Sequence, residues 1–229
     1  MEDKLLIIRR NDFLAQMTNE DYKTLNIQHN FIVEEKNGYI YFDAHYHNKL
    51  YFVKEGFVRI GNVDEDGNQF IRDILQPGDI FGQITLEKSN LQGEFAQAHK
   101  CDTILCAFTI EDFEKLLYRR PDLAIIFAKK AGQKVRHIEN RLLNLLQKDV
   151  RTRLLYFFVS LLPGNTDVDS PITLPNYLTH EDIARLTGTS RQTVTTLINK
   201  FTDEGLLAVD RQNITINNIR LLQKEAKVG

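Results

Sequence analysis

The sequence predicts an α+β protein: an N-terminal antiparallel β-roll, one long helix, and a small C-terminal domain of short helices and a hairpin. Three observations predict it. From Asn37 to about Phe108 the chain is a series of short aromatic and β-branched runs punctuated by glycine, with no helical stretch between them. From Pro121 to about Gln147 apolar residues recur instead with helical period. Beyond residue 150 the pattern becomes helix, polar connection, two helices and an alternating hairpin. These changes set domain boundaries at 1–120, 121–147 and 148–229.

The β-roll runs are YIYFD, KLYFV, FVRIG, QFIRDIL, DIFGQITL and TILCAFT, with Gly38, Gly56, Gly67 and Gly78 as the expected turns. Asp66-Gly67 has hairpin-turn chemistry, and Gln76-Pro77-Gly78-Asp79 has Pro and Gly where a type II turn needs them. Strands at this spacing close into a small antiparallel barrel or roll.

A short helix over about 111–119 leads to Pro121, which suits a first helical position. In the long helix Ala124, Ala128, Ala131, Val135, Ile138, Leu142 and Leu145 alternate spacings of four and three. That is a heptad seam over about three heptads, on a helix about 40 Å long, and it predicts pairing with a second copy. The alternative is a helix packed on its own barrel, which the second apolar set of Ile126, Leu143 and Leu146 requires. Gly132 weakens the helix and can permit close approach.

In the last domain Leu154 to Leu162 reads as a helix stopped by Pro163-Gly164, and Asn165 to Asn176 as a polar connection with room for a short strand at Ile172 to Leu174. In YLTHEDIARLTGTSRQTVTTLINKFTDEGLL, Thr179 with Asp182 resembles a capping arrangement, so a helix starts at about His180. Its core face is Ile183, Ala184 and Leu186, and it stops at Thr187-Gly188. Ser190, or Thr189 with Gln192, caps a second helix. Two short helices joined through a glycine turn form a helix-turn-helix.

That second helix buries Val194, Leu197, Ile198 and Phe201 at i, i+3, i+4, i+7. Opposite lie Gln192, Thr195, Thr196 and Asn199, with Arg191 at the N-terminal end and Lys200 at the flank. Thr193, Thr195 and Thr196 each cost roughly 0.5 kcal/mol against alanine in a helix. Short hydrogen-bonding groups and methyls on one face suit base-pair edges in a DNA major groove, which accounts for them. LLAVDRQNITI then alternates around a turn at Asp210 to Asn213, the wing of a winged helix, with Arg211 at its tip as a phosphate contact. The alternative for the constellation is a three-helix unit for protein contact.

The chain has 229 residues, 42% hydrophobic and 26% charged, with net charge −2, so no global field favours nucleic acid. Residues 1–147 carry 19 Lys/Arg against 22 Asp/Glu, and residues 148–229 carry 10 against 9, so any affinity for DNA must come from local placement. Leu5 to Ile8 is too short for a signal-peptide core or a membrane span, which predicts a cytoplasmic protein with no membrane partner. Cys101 and Cys106, the two cysteines, flank an apolar run and lack ligand spacing. No catalytic triad, paired carboxylates or phosphate loop is apparent, so no catalytic or metal residue is assigned.

The order β-roll, heptad helix, winged helix-turn-helix resembles the Crp/Fnr family of bacterial transcription regulators over nearly the whole chain. The carriers are residues 51–82, YFVKEGFVRIGNVDEDGNQFIRDILQPGDIFG, and residues 178–207, LTHEDIARLTGTSRQTVTTLINKFTDEGLL. The resemblance implies a cyclic-nucleotide-binding-type roll and a homodimer on a palindromic double-stranded operator, with RNA polymerase as a further partner. The arginine of the family's S-R-x-T-V core falls on Arg191, the usual glutamate on Gln192, and a second basic position on Thr196. It extends the expected DNA-binding set to Thr179, Thr189, Ser190, Arg191, Gln192, Thr193, Thr195, Thr196, Lys200 and Arg211.

The phosphate cassette departs from the family. F-G-E-hydrophobic becomes Phe81-Gly82-Gln83-Ile84, and R-[ST]-A becomes Glu94-Phe95-Ala96. A carboxylate replaces the cation that would pair a cyclic phosphate, so cyclic AMP is not expected, and Phe95 is expected to fill the vacated pocket. Two cysteines do not supply an iron-sulfur cluster, so no cofactor is assigned. The competing classes are a cupin-type metal enzyme built on His45-Tyr46-His47, short of third and fourth ligands, and a dimeric interaction adaptor.

Overall fold

Aromatic and β-branched residues give the N-terminal half two strands much longer than its short apolar runs suggest. The structure, a computed structural model, describes residues 13, 16–24, 31–42, 48–84, 93–163, 166–167 and 169–226. It divides into two units, 1–135 and 136–229.

In the first unit α1 (Asn19–Thr24) precedes β1 (Phe31–Glu34), β2 (Tyr39–Phe42), β3 (Lys49–Val63), β4 (Gln69–Leu75), β5 (Ile80–Gly82) and β6 (Glu94–Thr109). All pairings are antiparallel, in the order β1-β6-β3-β4, with β2 also on β6 and β5 on β3. The expected roll is present, but Gly56 is not a turn. It sits inside β3 with φ +78°, where the β3–β6 register shifts, and an added Cβ would meet Asp102 O at 2.5 Å. A bulge at a residue free to take positive φ bends the strand without ending it. KLYFV and FVRIG are therefore one strand, and β1 lies before the expected first strand.

One face of the sheet buries Tyr41, Tyr51, Val58, Ile60, Phe81, Ala96 and Leu105. A second cluster joins Phe13, Phe52, Phe108 and Phe113 to Leu123 and Phe127. The last two belong to the long helix, whose first turns are thus anchored in the roll by about 2 kcal/mol per buried side chain. Asp21, buried, accepts bonds from Arg119 and Arg120 and holds α1 against the end of α2 (Ile110–Arg119). Cys106 is buried, and burial pushes its thiol up to about 12; Cys101 is exposed.

The long helix α3 spans Pro121–Gln147, and the division between units falls inside it. Along the expected seam Ala124 and Ala131 are half-buried and Ala128 is exposed, while Val135, Ile138 and Leu142 are 56%, 58% and 55% exposed and Leu145 is 40% exposed. Of the second apolar set only Ile126 packs against the roll; Leu143 and Leu146 are exposed, so the helix does not cover them within its own chain.

In the second unit α4 covers Val150–Ser160, earlier at both ends than the expected 154–162, because Asp149 caps it by accepting the Thr152 N–H. There follow β7 (Ile172–Pro175), α5 (His180–Thr187), α6 (Arg191–Asp203), β8 (Leu207–Val209), β9 (Asn213–Ile216) and α7 (Ile219–Glu225). β9 pairs with both β7 and β8, so the hairpin is part of a three-stranded sheet.

Candidate nucleic-acid interface

The helix-turn-helix is built by side chains within a few residues of one another. The Thr179 hydroxyl accepts the Asp182 N–H at 3.1 Å, and the Asp182 carboxylate accepts the Thr179 N–H at 2.8 Å, closing a capping box at the start of α5. Such a cap contributes about 1 kcal/mol. Ile183, Ala184 and Leu186 are buried, as expected. The helix ends where Gly188 takes φ +65°, ψ +48°, a left-handed cap. A Cβ there would come within 2.8 Å of a Leu145 methyl, the end of a flexible, partly exposed side chain that can move aside, so it is the left-handed conformation that calls for glycine.

Ser190 caps α6, accepting the Thr193 N–H at 3.1 Å, and its hydroxyl lies 2.8 Å from Thr193 Oγ1. Val194, Ile198 and Phe201 are buried and Leu197 is half-buried. Arg191, Gln192, Thr196, Asn199 and Lys200 are exposed, and Thr189 is half-buried. Among the described residues no hydrogen bond engages the side chains of Arg191, Gln192, Thr196 or Lys200.

The threonines therefore divide, which the sequence did not reveal. Thr195 is half-buried, and its hydroxyl donates to Arg191 O at 3.0 Å and meets His180 Nδ1 at 2.8 Å. The Thr179, Ser190, Thr193 and Thr195 hydroxyls serve caps and helix contacts; of Thr193, Thr195 and Thr196, only Thr196 is exposed. Expecting Thr195 to offer a free hydroxyl to bases is corrected by these two bonds.

At the wing the Asp210 carboxylate accepts the Gln212 and Asn213 N–H groups, each at 2.7 Å, and these bonds hold its carboxyl below the ordinary carboxylate range. Arg211 is exposed at the tip of the turn so formed.

Two arginines that the sequence did not flag hold this surface in place. Arg153 donates to Thr187 O at 3.0 Å, Gly188 O at 3.1 Å and Lys148 O at 2.9 Å, pinning the turn to the end of the long helix. Arg151 bridges Glu204 at 2.8 Å and Glu225 at 2.5 Å and stacks over the Phe201 ring. The Arg153 bonds to Thr187 O and Gly188 O and the Arg151 bonds to the Glu204 and Glu225 carboxylates each span 34 or more residues, and leave no local pattern to read.

The roll's cassette is a separate site. Phe81 stacks on Tyr51 at 5.0 Å and on Tyr41 at 6.2 Å, Gly82 has φ +90°, Gln83 is buried, and Ile84 packs against the Phe52 cluster. Glu94 accepts the Tyr41 hydroxyl at 2.7 Å and pairs with Arg72 at 2.8 Å. Burial, reinforced by Glu94, pushes the Tyr41 phenol well above its usual range, and burial pushes Tyr51 up to about 12. Phe95 does not fill this space. Ala96 shares the inner face with the aromatic stack, so Phe95, one residue before it on the strand, points to the opposite face, over Gly61 and against Tyr39 at 6.1 Å.

His45 and His47 lie outside the described residues, and among the described residues no group of three or more His, Cys, Asp or Glu is placed to hold a metal. Among them also, no helix is long and apolar enough to cross a membrane.

A β-roll, a long helix with an exposed apolar seam, and a winged helix-turn-helix with an open polar face define a DNA-binding transcription regulator. Residues 34–120 match the cyclic nucleotide-binding domain and residues 152–225 the Crp-like helix-turn-helix domain. The chain is 27% identical over 187 residues to the global nitrogen regulator of Synechococcus elongatus, covering 80% of this chain and 84% of that one. It is 28% identical over 177 residues to the cyclic AMP receptor protein of Thermus thermophilus, covering 77% and 79%. Among solved structures, a CooA variant from Carboxydothermus hydrogenoformans superposes with a TM-score of 0.70 at 27% identity, covering 86% of this chain and 87% of that one. The chain belongs to the Crp/Fnr family and is a DNA-binding transcription regulator of that type. None of these matches supports the metal-enzyme or adaptor alternative.

Proposed function

We propose that the chain acts in the cytoplasm as a homodimer, paired along the Ala124–Leu145 seam, that reads a palindromic operator with one α6 per half-site and has no catalytic activity. Arg191, Gln192 and Thr196 face base edges, while Lys200, Arg211 and the segment around Thr189 and Ser190 lie along phosphates. RNA polymerase is the partner through which occupancy is felt. The observation that carries this reading is the open first turn of α6. Arg191 and Gln192 project from a helix start already fixed by Ser190, with no intramolecular partner among the described residues. Arginine there has the geometry for a bidentate contact to guanine. Selection from random duplex DNA tests the reading: the expected product is a palindrome with half-site centres about one helical turn apart. A sequence-independent pool would refute it.

The same proposal holds that neither cyclic AMP nor an iron-sulfur cluster is the effector. Glu94 occupies the position where the family resemblance requires a phosphate-binding arginine, and the Arg72 cation nearby is already paired with it. Cyclic AMP at saturation should leave the melting temperature unchanged, and a rise would overturn this part.

A further inference from the structure

His180 stands at the first position of α5, beside α6, and the reading above makes no use of it. Its Nδ1 lies 2.8 Å from Thr195 Oγ1, and the same hydroxyl lies 3.0 Å from Arg191 O. A threonine hydroxyl has one proton and a carbonyl can only accept. Thr195 therefore donates to Arg191 and accepts from the ring, so the neutral imidazole carries its proton on Nδ1 and a lone pair on Nε2. Nε2 has no protein partner among the described residues and is not sealed from solvent. A second proton can be added there without breaking either bond.

We propose that His180 is a proton-coupled contact to the DNA backbone, neutral in the free protein and protonated at Nε2 when a duplex phosphate lies against it. The proposal rests on the DNA-facing orientation of α6 argued above. In helix-turn-helix units the first helix crosses the backbone while the second enters the groove, which brings phosphate oxygens, not base edges, to this end of α5.

The local charges favour the neutral ring in free protein. Burial and then the Arg191 guanidinium hold the His180 imidazole below its usual value. On its own helix Glu181 is taken by Arg185 at 2.9 Å, and Asp182 is closed inside the capping box with Thr179. From α6 the ring meets Thr195 and the field of Arg191. Phosphates reverse that balance. They place negative charge beside Nε2, and they offset the guanidinium that disfavours the cation. The complex then binds more protons than its free components, so affinity rises as pH falls through the bound-state value and levels off below the free-state value.

Operator affinity of the full chain, measured by fluorescence anisotropy at fixed ionic strength from about pH 8 to about pH 5.5, should tighten by about threefold to tenfold per subunit. His180→Gln should bind with the weaker affinity and no such slope, and His180→Arg with the tighter affinity and no such slope. Calorimetry in buffers of different ionisation enthalpy should show proton uptake on binding that both variants lose. Nitrogen chemical shifts of the free imidazole should report the Nδ1–H tautomer. Equal pH slopes in the parent and His180→Gln, equal proton uptake, or an Nε2–H tautomer would overturn the proposal. Failure of all three proteins to bind DNA at any pH would instead overturn the orientation on which it rests.

Discussion

The interior of the β-roll and the surface of α6 both carry charged and hydroxyl side chains, and they use them in opposite ways. Around Glu94, the carboxylate, the Tyr41 phenol and the Arg72 guanidinium satisfy one another. On α6 the polar groups near the core are likewise used up, in caps and in the Thr195 bonds, but Arg191, Gln192, Thr196 and Lys200 remain open. A buried polar group without a partner costs about 1–3 kcal/mol, so folding closes the groups around Glu94 on one another, while the open groups of α6 are ones that water can serve. The groups left open are the ones available to a macromolecular partner.

The comparison predicts that substitutions in the roll act on stability and substitutions on α6 act on recognition. The largest effect belongs to Phe95→Ala, which empties a fully buried aromatic site and should cost about 3–5 kcal/mol in urea unfolding of the roll. Next is Arg191→Ala, which should weaken operator binding by about 2 kcal/mol and relax one base position while leaving the melting temperature unchanged. A fall in stability of similar size would place Arg191 with the structural arginines 151 and 153. Tyr41→Phe should cost about 1–2 kcal/mol of stability, since it removes a hydrogen bond to a carboxylate, with no change in operator selectivity. The smallest effect is expected of Lys200→Ala: a similar loss on every DNA sequence, with the salt dependence of binding reduced by about one counterion per subunit. A sequence-selective loss would move Lys200 from phosphate to base.

Legibility followed the range of the interactions. Thr179 with Asp182, Gly188 and Ser190 act within four residues along the chain, and each formed the cap or stop read from its neighbours. The long helix was legible for a similar reason, since its period lies in the chain itself; Val135, Ile138, Leu142 and Leu145 on it are exposed. Gly56 was misread because positive φ serves a turn and a bulge alike; the register of β3 against Asp102 and Thr103 chooses between them. Phe95 was placed on the wrong face because a short motif gives residue type but not the side of the strand.

Taken alone, the sequence determined the order of roll, long helix and helix-turn-helix, the two capped helices, the apolar period of the long helix, and the polar residue types on the exposed face of α6, all of which rest on local propensity and periodicity. Tertiary structure decided which of those residues stay available. It drew Thr195 to His180, set Arg153 on the carbonyls of the turn, and closed Glu94 with Arg72 and Tyr41. The reason is physical: a side chain's hydrogen-bonding capacity is set by its chemistry, but whether that capacity is consumed depends on neighbours that only packing brings within about 3 Å.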